Sequence, residues 1–73
     1  MNDFDYKLDN FLFPKIKEIN NPIILELGVQ TGRSTKKFLD ICEKKNGKLF
    51  SVDIDDCSNV SNSNLWSFYQ TRD

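Results

Sequence analysis

Pro22-Ile23-Ile24-Leu25-Glu26-Leu27-Gly28-Val29-Gln30-Thr31-Gly32-Arg33-Ser34 is the stretch from which the fold is read. Residues 22–27 form a short, nearly unbroken apolar run, β-branched at its start. Strands buried on both faces have this character, and such strands belong to parallel sheets. Gly28 to Gly32 then reads as a turn. From Ser34 to Asn46, Thr35, Phe38, Leu39 and Cys42 recur at i, i+3, i+4 and i+7, the pattern of an amphipathic helix. Lys44 and Lys45 suit the negative end of its dipole, and Gly47 is placed to stop it.

Outward in the C-terminal direction, Lys48 to Asp53 is a second short strand and Leu65 to Gln70 a third. The polar stretch from Ile54 to Asn64 has room for one or two helical turns, with Asp55 or Asp56 as caps. Strand, helix, strand, short crossover, strand is the signature of an α/β fold with a parallel sheet. In the N-terminal direction, Phe4, Leu8, Phe11, Leu12, Ile16 and Ile19 share one helical face over residues 3–20. Pro14 should bend or divide that helix. Asn20-Asn21-Pro22 separates residues 1–21, a helical segment, from residues 22–73, the α/β part.

Composition excludes several functions. A chain of 73 residues is one domain at most. It has two cysteines and no histidine. That leaves no zinc finger, no disulfide scaffold and no histidine-based acid–base or nucleophile pair. The net charge is −1 with scattered lysines, so nothing steers the chain to nucleic acid. The longest apolar runs, Phe11–Phe13 and Pro22–Leu25, are far too short to cross a bilayer. Met1-Asn2-Asp3-Phe4-Asp5 lacks the basic start of a signal or transit peptide, so a cytoplasmic location with reduced thiols is expected.

Chemistry is expected at the carboxyl ends of the strands, where open α/β sheets bind ligands. Gly28 and Gly32 let the backbone approach a ligand. Free N–H groups at the helix start, with the Thr31, Ser34 and Thr35 hydroxyls, could hold a small anion such as a carboxylate. Glu26 is a carboxylate in an aliphatic strand and needs a partner; a cationic ligand group is one candidate. Asp53 ends the second strand 25 residues after Gly28, where a carboxylate can accept both hydroxyls of a ribose. Thr71-Arg72-Asp73 would lie on the same rim, within reach of an adenine edge.

Glu-x-Gly-x-x-x-Gly-x-Ser after a hydrophobic strand resembles the first motif of class I S-adenosylmethionine-dependent methyltransferases. The likeness is closest to the catechol-type O-methyltransferases and the cephalosporin-hydroxylase-like group. Ser51-Val52-Asp53-Ile54-Asp55 resembles their second motif, and Trp66-x-Phe68-x-Gln70-x-Arg72-Asp73 the third strand and adenine-side turn of the latter group. The resemblance covers residues 22–73. It implies a Rossmann-like sheet of three parallel strands, the N-terminal half of a larger doubly wound sheet, with an N-terminal helix before it. It implies S-adenosyl-L-methionine as cofactor. Glu26 and Gly28 would line its methionine end and Ser34 would hold its amino-acid portion. Gln30 and Gly32 would sit on the turn. Asp53 would grip the ribose, Ile54 would pack on the adenine face, and Arg72 or Asp73 would border the adenine.

The family's fourth strand and substrate pocket have no counterpart before Asp73. The resemblance therefore implies a cofactor-binding portion without catalytic competence at this length. It also leaves the first strand with an open edge, which invites a second copy or a partner strand. Two other readings stand beside it. The chain could be a non-enzymatic α/β module that needs a partner. A dinucleotide site is disfavoured, because Gln30 stands where that fingerprint has glycine. Plainer readings also remain for single residues: Gly28 and Gly32 as turn glycines, Asp53 as a helix cap, and Cys42, Trp66 and Phe68 as core.

Overall fold

The computed structural model describes residues 6–71. Three strands, β1 (Ile23–Leu27), β2 (Lys48–Asp53) and β3 (Trp66–Gln70), form one parallel sheet in the order β1-β2-β3. The expected α/β architecture is therefore present, with helices packed on the sheet. Helix α2 (Arg33–Lys45) joins β1 to β2, and a short 3₁₀ turn (Ser58–Val60) lies between β2 and β3. Ahead of the sheet, a π-helical turn (Leu8–Leu12) runs into a short α-helix, α1 (Phe13–Ile16).

Proline explains the π turn. Pro14 cannot donate a hydrogen bond, and in an α-helix its ring would press on the carbonyl four residues back, that of Asn10. The wider i→i+5 winding, closed by the Phe13 N–H on the Leu8 carbonyl, makes room for it. This winding also moves the apolar face. Leu8 and Phe13, five residues apart, are buried, whereas Phe11, Leu12 and Ile19 are exposed. The regular helical face expected from Phe4 to Ile19 is corrected accordingly; Phe4 lies outside the described residues. Phe13 meets Phe38 of α2 edge to face, with ring centroids 5.2 Å apart.

The core is one cluster of Leu8, Phe13, Phe38, Leu39, Ile41, Cys42 and Leu49, with Ile24, Leu65 and Trp66 packed against it. It fills the space between the helices and one face of the sheet. Alternation sends Ile24, Glu26, Leu49 and Ser51 toward it and Ile23, Leu25 and Leu27 to the other side. Those last three are 78%, 67% and 76% exposed. The expectation that β1 is buried on both faces is thus corrected: among the described residues only the helix-side face is covered. β1 is also an edge strand, because among the described residues β2 is its one neighbour.

Helix α2 ends at Asn46, which takes the left-handed conformation at φ 57°. Gly47 follows as the stop, its N–H donating back to the Cys42 carbonyl at 2.8 Å, and its lack of a side chain serves a close approach. A Cβ there would lie 2.5 Å from the Pro22 carbonyl oxygen, which accepts the Lys48 N–H at 2.8 Å.

Candidate functional site

The strand ends are brought level by two hydrogen bonds just beyond the ladder. The Gly28 N–H donates to the Val52 carbonyl at 2.8 Å and the Thr71 N–H to the Asp53 carbonyl at 3.0 Å. Gly28, Val52, Asp53, Ile54 and Thr71 line a cleft of ≈ 270 Å³ at this level. Gly28 has φ 90°, and a Cβ built on it would meet nothing within 4 Å. Its backbone therefore faces open space inside the cleft. Ile54 is 62% exposed on the same rim.

Asp53 points its carboxylate at the glycine turn. Oδ2 accepts the N–H groups of Val29 at 2.7 Å and Gln30 at 3.0 Å. Oδ1 accepts the Asp55 N–H at 2.9 Å. These N–H donors hold the carboxyl down at about 2, with the Asp55 bond the largest cause. The expected two-hydroxyl grip on a ribose is thereby reduced, because Oδ2 is engaged by the turn and only Oδ1 keeps an acceptor position. Gln30 itself adopts φ 53°, which aims its N–H at Asp53. Cys57 is buried beneath, its thiol 3.7 Å from the Gln30 carbonyl. Burial pushes that thiol up, and the charges of Asp53, Asp55 and Asp56 act in the same direction.

Asp53 also sets an acid limit. Its folded-state value lies below the ordinary one, so its stabilising effect is complete above about pH 4 and is lost as pH falls toward 2. Asp53→Asn should flatten the acid limb of an unfolding curve between those limits, with its full cost at neutral pH and little cost near pH 2. Asp56, lowered by the hydroxyl and N–H of Ser58, keeps part of that limb in the variant.

Glu26 has a different neighbourhood. It is 6% exposed on the helix side of β1. Oε1 accepts the Thr35 hydroxyl at 2.6 Å and the Ser51 hydroxyl at 2.8 Å, and Oε2 accepts the Ser34 hydroxyl at 2.6 Å. The Trp66 indole N–H extends this set by donating to Ser51 Oγ at 2.9 Å. This carboxylate is held by three hydroxyls from α2 and β2. They pin the start of α2 to the sheet. Ser34 and Thr35 are therefore turned toward Glu26 instead of toward an anion in the cleft.

Gly32 opens α2 at φ 86°. A Cβ there would collide with Val60, 2.5 Å away, so this glycine serves close packing against the 3₁₀ turn. Asp56 holds that turn through Ser58, in place of the helix cap expected of it.

Compared with models of known protein families, with curated proteins and with solved structures, the chain matches none.

The geometry thus gathers Gly28, Asp53 and Ile54 around one cleft, with Gln30 behind Asp53. It sets Glu26 and Ser34 on the far side of the turn and Gly32 against Val60. Arg72 and Asp73 lie outside the described residues. Val52, Cys57, Ser51 and Trp66 are not assigned to the site by the sequence, and Thr35, expected to face an anion, is bonded to Glu26 instead. Only the alternation of β2 and β3, which puts Ser51 and Trp66 on the face of Glu26, signals those two. A larger cleft of ≈ 470 Å³ runs between α1 and α2, lined by residues that include Phe13, Lys17 and Lys36. It is bordered by the Lys37–Asp9 ion pair at 2.9 Å and lies on helices, away from the strand ends where ligands bind in such sheets. Among the described residues, no helix is long and apolar enough to cross a membrane and no group of three His, Cys, Asp or Glu could hold a metal ion.

Proposed function

We propose that residues 22–71 form the S-adenosylmethionine-holding part of a class I methyltransferase, with the adenosine moiety in the cleft at Gly28. The observation that carries this reading is the cleft's position. It lies beyond the carboxyl ends of parallel strands, beside a glycine with open space at its Cβ and a carboxylate 25 residues on. Val52 and Ile54 offer apolar walls to an adenine, and Asp53 Oδ1 offers one acceptor to a ribose hydroxyl. The reading extends to holding the cofactor; no described residue is assigned to methyl transfer.

Equilibrium dialysis with S-adenosylmethionine tests it, with NAD as competitor. Saturable binding that NAD displaces poorly is expected. Gly28→Ala should weaken that binding about tenfold or more, because the methyl enters the cleft. It should lower folding stability by only about 1–2 kcal/mol, the cost of a Cβ at positive φ. No binding by folded protein, or tighter binding of NAD, would overturn the reading.

A second reading has its own observation. Ile23, Leu25 and Leu27 are exposed on the edge strand, which carries no proline or bulge to block pairing. A non-enzymatic module completed by a partner strand beside β1 would cover them. Size-exclusion chromatography separates the two: a monomer at all concentrations with native-like spectra disfavours a required partner.

A further inference from the structure

A glycine turn leading into a helix offers an anion two sets of donors. One is the successive N–H groups of the turn; the other is the helix start with its hydroxyls. In this chain the donors of the turn at Val29 and Gln30 and the hydroxyls of the helix start are used by the protein's own carboxylates. The Val29 and Gln30 N–H groups converge on Asp53 Oδ2 at 2.7 and 3.0 Å. The Ser34 and Thr35 hydroxyls, in the first turn of α2, converge on Glu26 at 2.6 Å each. The described lining of the cleft, Gly28, Val52, Asp53, Ile54 and Thr71, contains no cation.

We infer that Asp53 is a specificity-determining residue that acts as a built-in anion, so that the cleft accepts a nucleoside without phosphate and rejects nucleotides. This rests on the cofactor reading for the nucleoside, but not for the anion. A phosphate entering beside Gly28 would find the Val29 and Gln30 N–H groups already bonded and would stand against the charge of Asp53. Among the described lining residues none is cationic to screen that like-charge contact. Asp53 is the nearer of the two carboxylates and the one to vary. Glu26 holds the helix start from the opposite side of the turn.

The experiment is a titration followed by amide NMR, with inorganic phosphate, adenosine and adenosine monophosphate as probes. Wild type and Asp53→Asn are compared. In wild type, phosphate should leave the Val29 and Gln30 amide signals unmoved, and the monophosphate should bind about tenfold or more weakly than adenosine. Asp53→Asn keeps the acceptor oxygen and removes the charge, so that gap should narrow to about threefold or less. Asp53→Ala vacates the turn donors, and phosphate should then shift both amides and raise the thermal midpoint. Movement of these amides by phosphate in wild type, equal binding of adenosine and its monophosphate, or an unchanged gap in Asp53→Asn would overturn the inference. Failure of adenosine to bind would sink the cofactor reading, while the phosphate titration of wild type and Asp53→Asn still decides this one. Should Asp53→Ala not fold, those same two proteins carry the test.

Discussion

Glu26→Ala is expected to abolish cooperative folding at room temperature. The substitution removes the acceptor of three hydroxyls at once, those of Ser34, Thr35 and Ser51. Thr35 and Ser51 are fully buried, so neither can turn to water. A buried donor left without a partner costs about 1–3 kcal/mol, and the vacated side-chain volume adds to that. The sum reaches the roughly 3–5 kcal/mol that a core of this size supplies. Glu26→Gln keeps one carbonyl oxygen and adds an amide that a rotated hydroxyl can accept, so a loss of about 1–2 kcal/mol is expected. Urea unfolding read by circular dichroism and by Trp66 fluorescence checks both. Trp66 is an apt reporter because its indole N–H donates to Ser51 Oγ, one bond from Glu26. A Glu26→Ala protein within about 1 kcal/mol of wild type would show that the hydroxyl set is dispensable.

Gly32→Ala is expected to be nearly as damaging, by two separable effects. At φ 86° any Cβ strains the backbone, for about 1–2 kcal/mol. The new methyl also meets the Val60 side chain at 2.5 Å, an overpacking of about 1–3 kcal/mol. The double variant Gly32→Ala/Val60→Ala should recover the second part and not the first. A double-mutant cycle measured by denaturant unfolding should therefore give a favourable coupling of about 1 kcal/mol or more. Additive effects would mean that Val60 does not press on the turn. The contrast with Gly28 is informative: there the Cβ would enter open space, so the expected loss is in ligand binding more than in stability.

Backbone architecture was largely legible from the residues. The run at 22–27, the helical spacing of Thr35, Phe38, Leu39 and Cys42, and the run at 48–53 place β1, α2 and β2 to within a residue of the observed ends. Periodicity and turn residues report local structure, and here local structure and fold agree. Two features depended on geometry that spacing does not carry. Pro14 announced a break, but the widening to i→i+5 bonds, which buries Phe13 in place of Phe11, follows from where the proline ring must fit. The aliphatic run of β1 reads as burial on both faces, yet burial depends on what packs against a strand, and among the described residues only one face is covered.

At the site, the positions were legible and the bonds were not. Gly28, Asp53 and Ile54 do meet at one cleft. That Asp53 takes the N–H groups of Val29 and Gln30 depends on the reach of the turn, set by Gln30 at positive φ. That Glu26 is satisfied by hydroxyls depends on the register of β1 with β2, which sets Glu26 beside Ser51. Such cross-element pairings are long-range and leave no mark on local spacing.

The most direct test of the cofactor cleft is a ¹⁵N-amide titration of the folded chain with S-adenosylmethionine. Saturable shifts concentrated at Gly28, at Asp53 and Ile54, and at Thr71 are expected, with the groove between α1 and α2 unmoved. Shifts confined to that groove or to the bare face of β1, or no shifts at all, would contradict the cofactor reading.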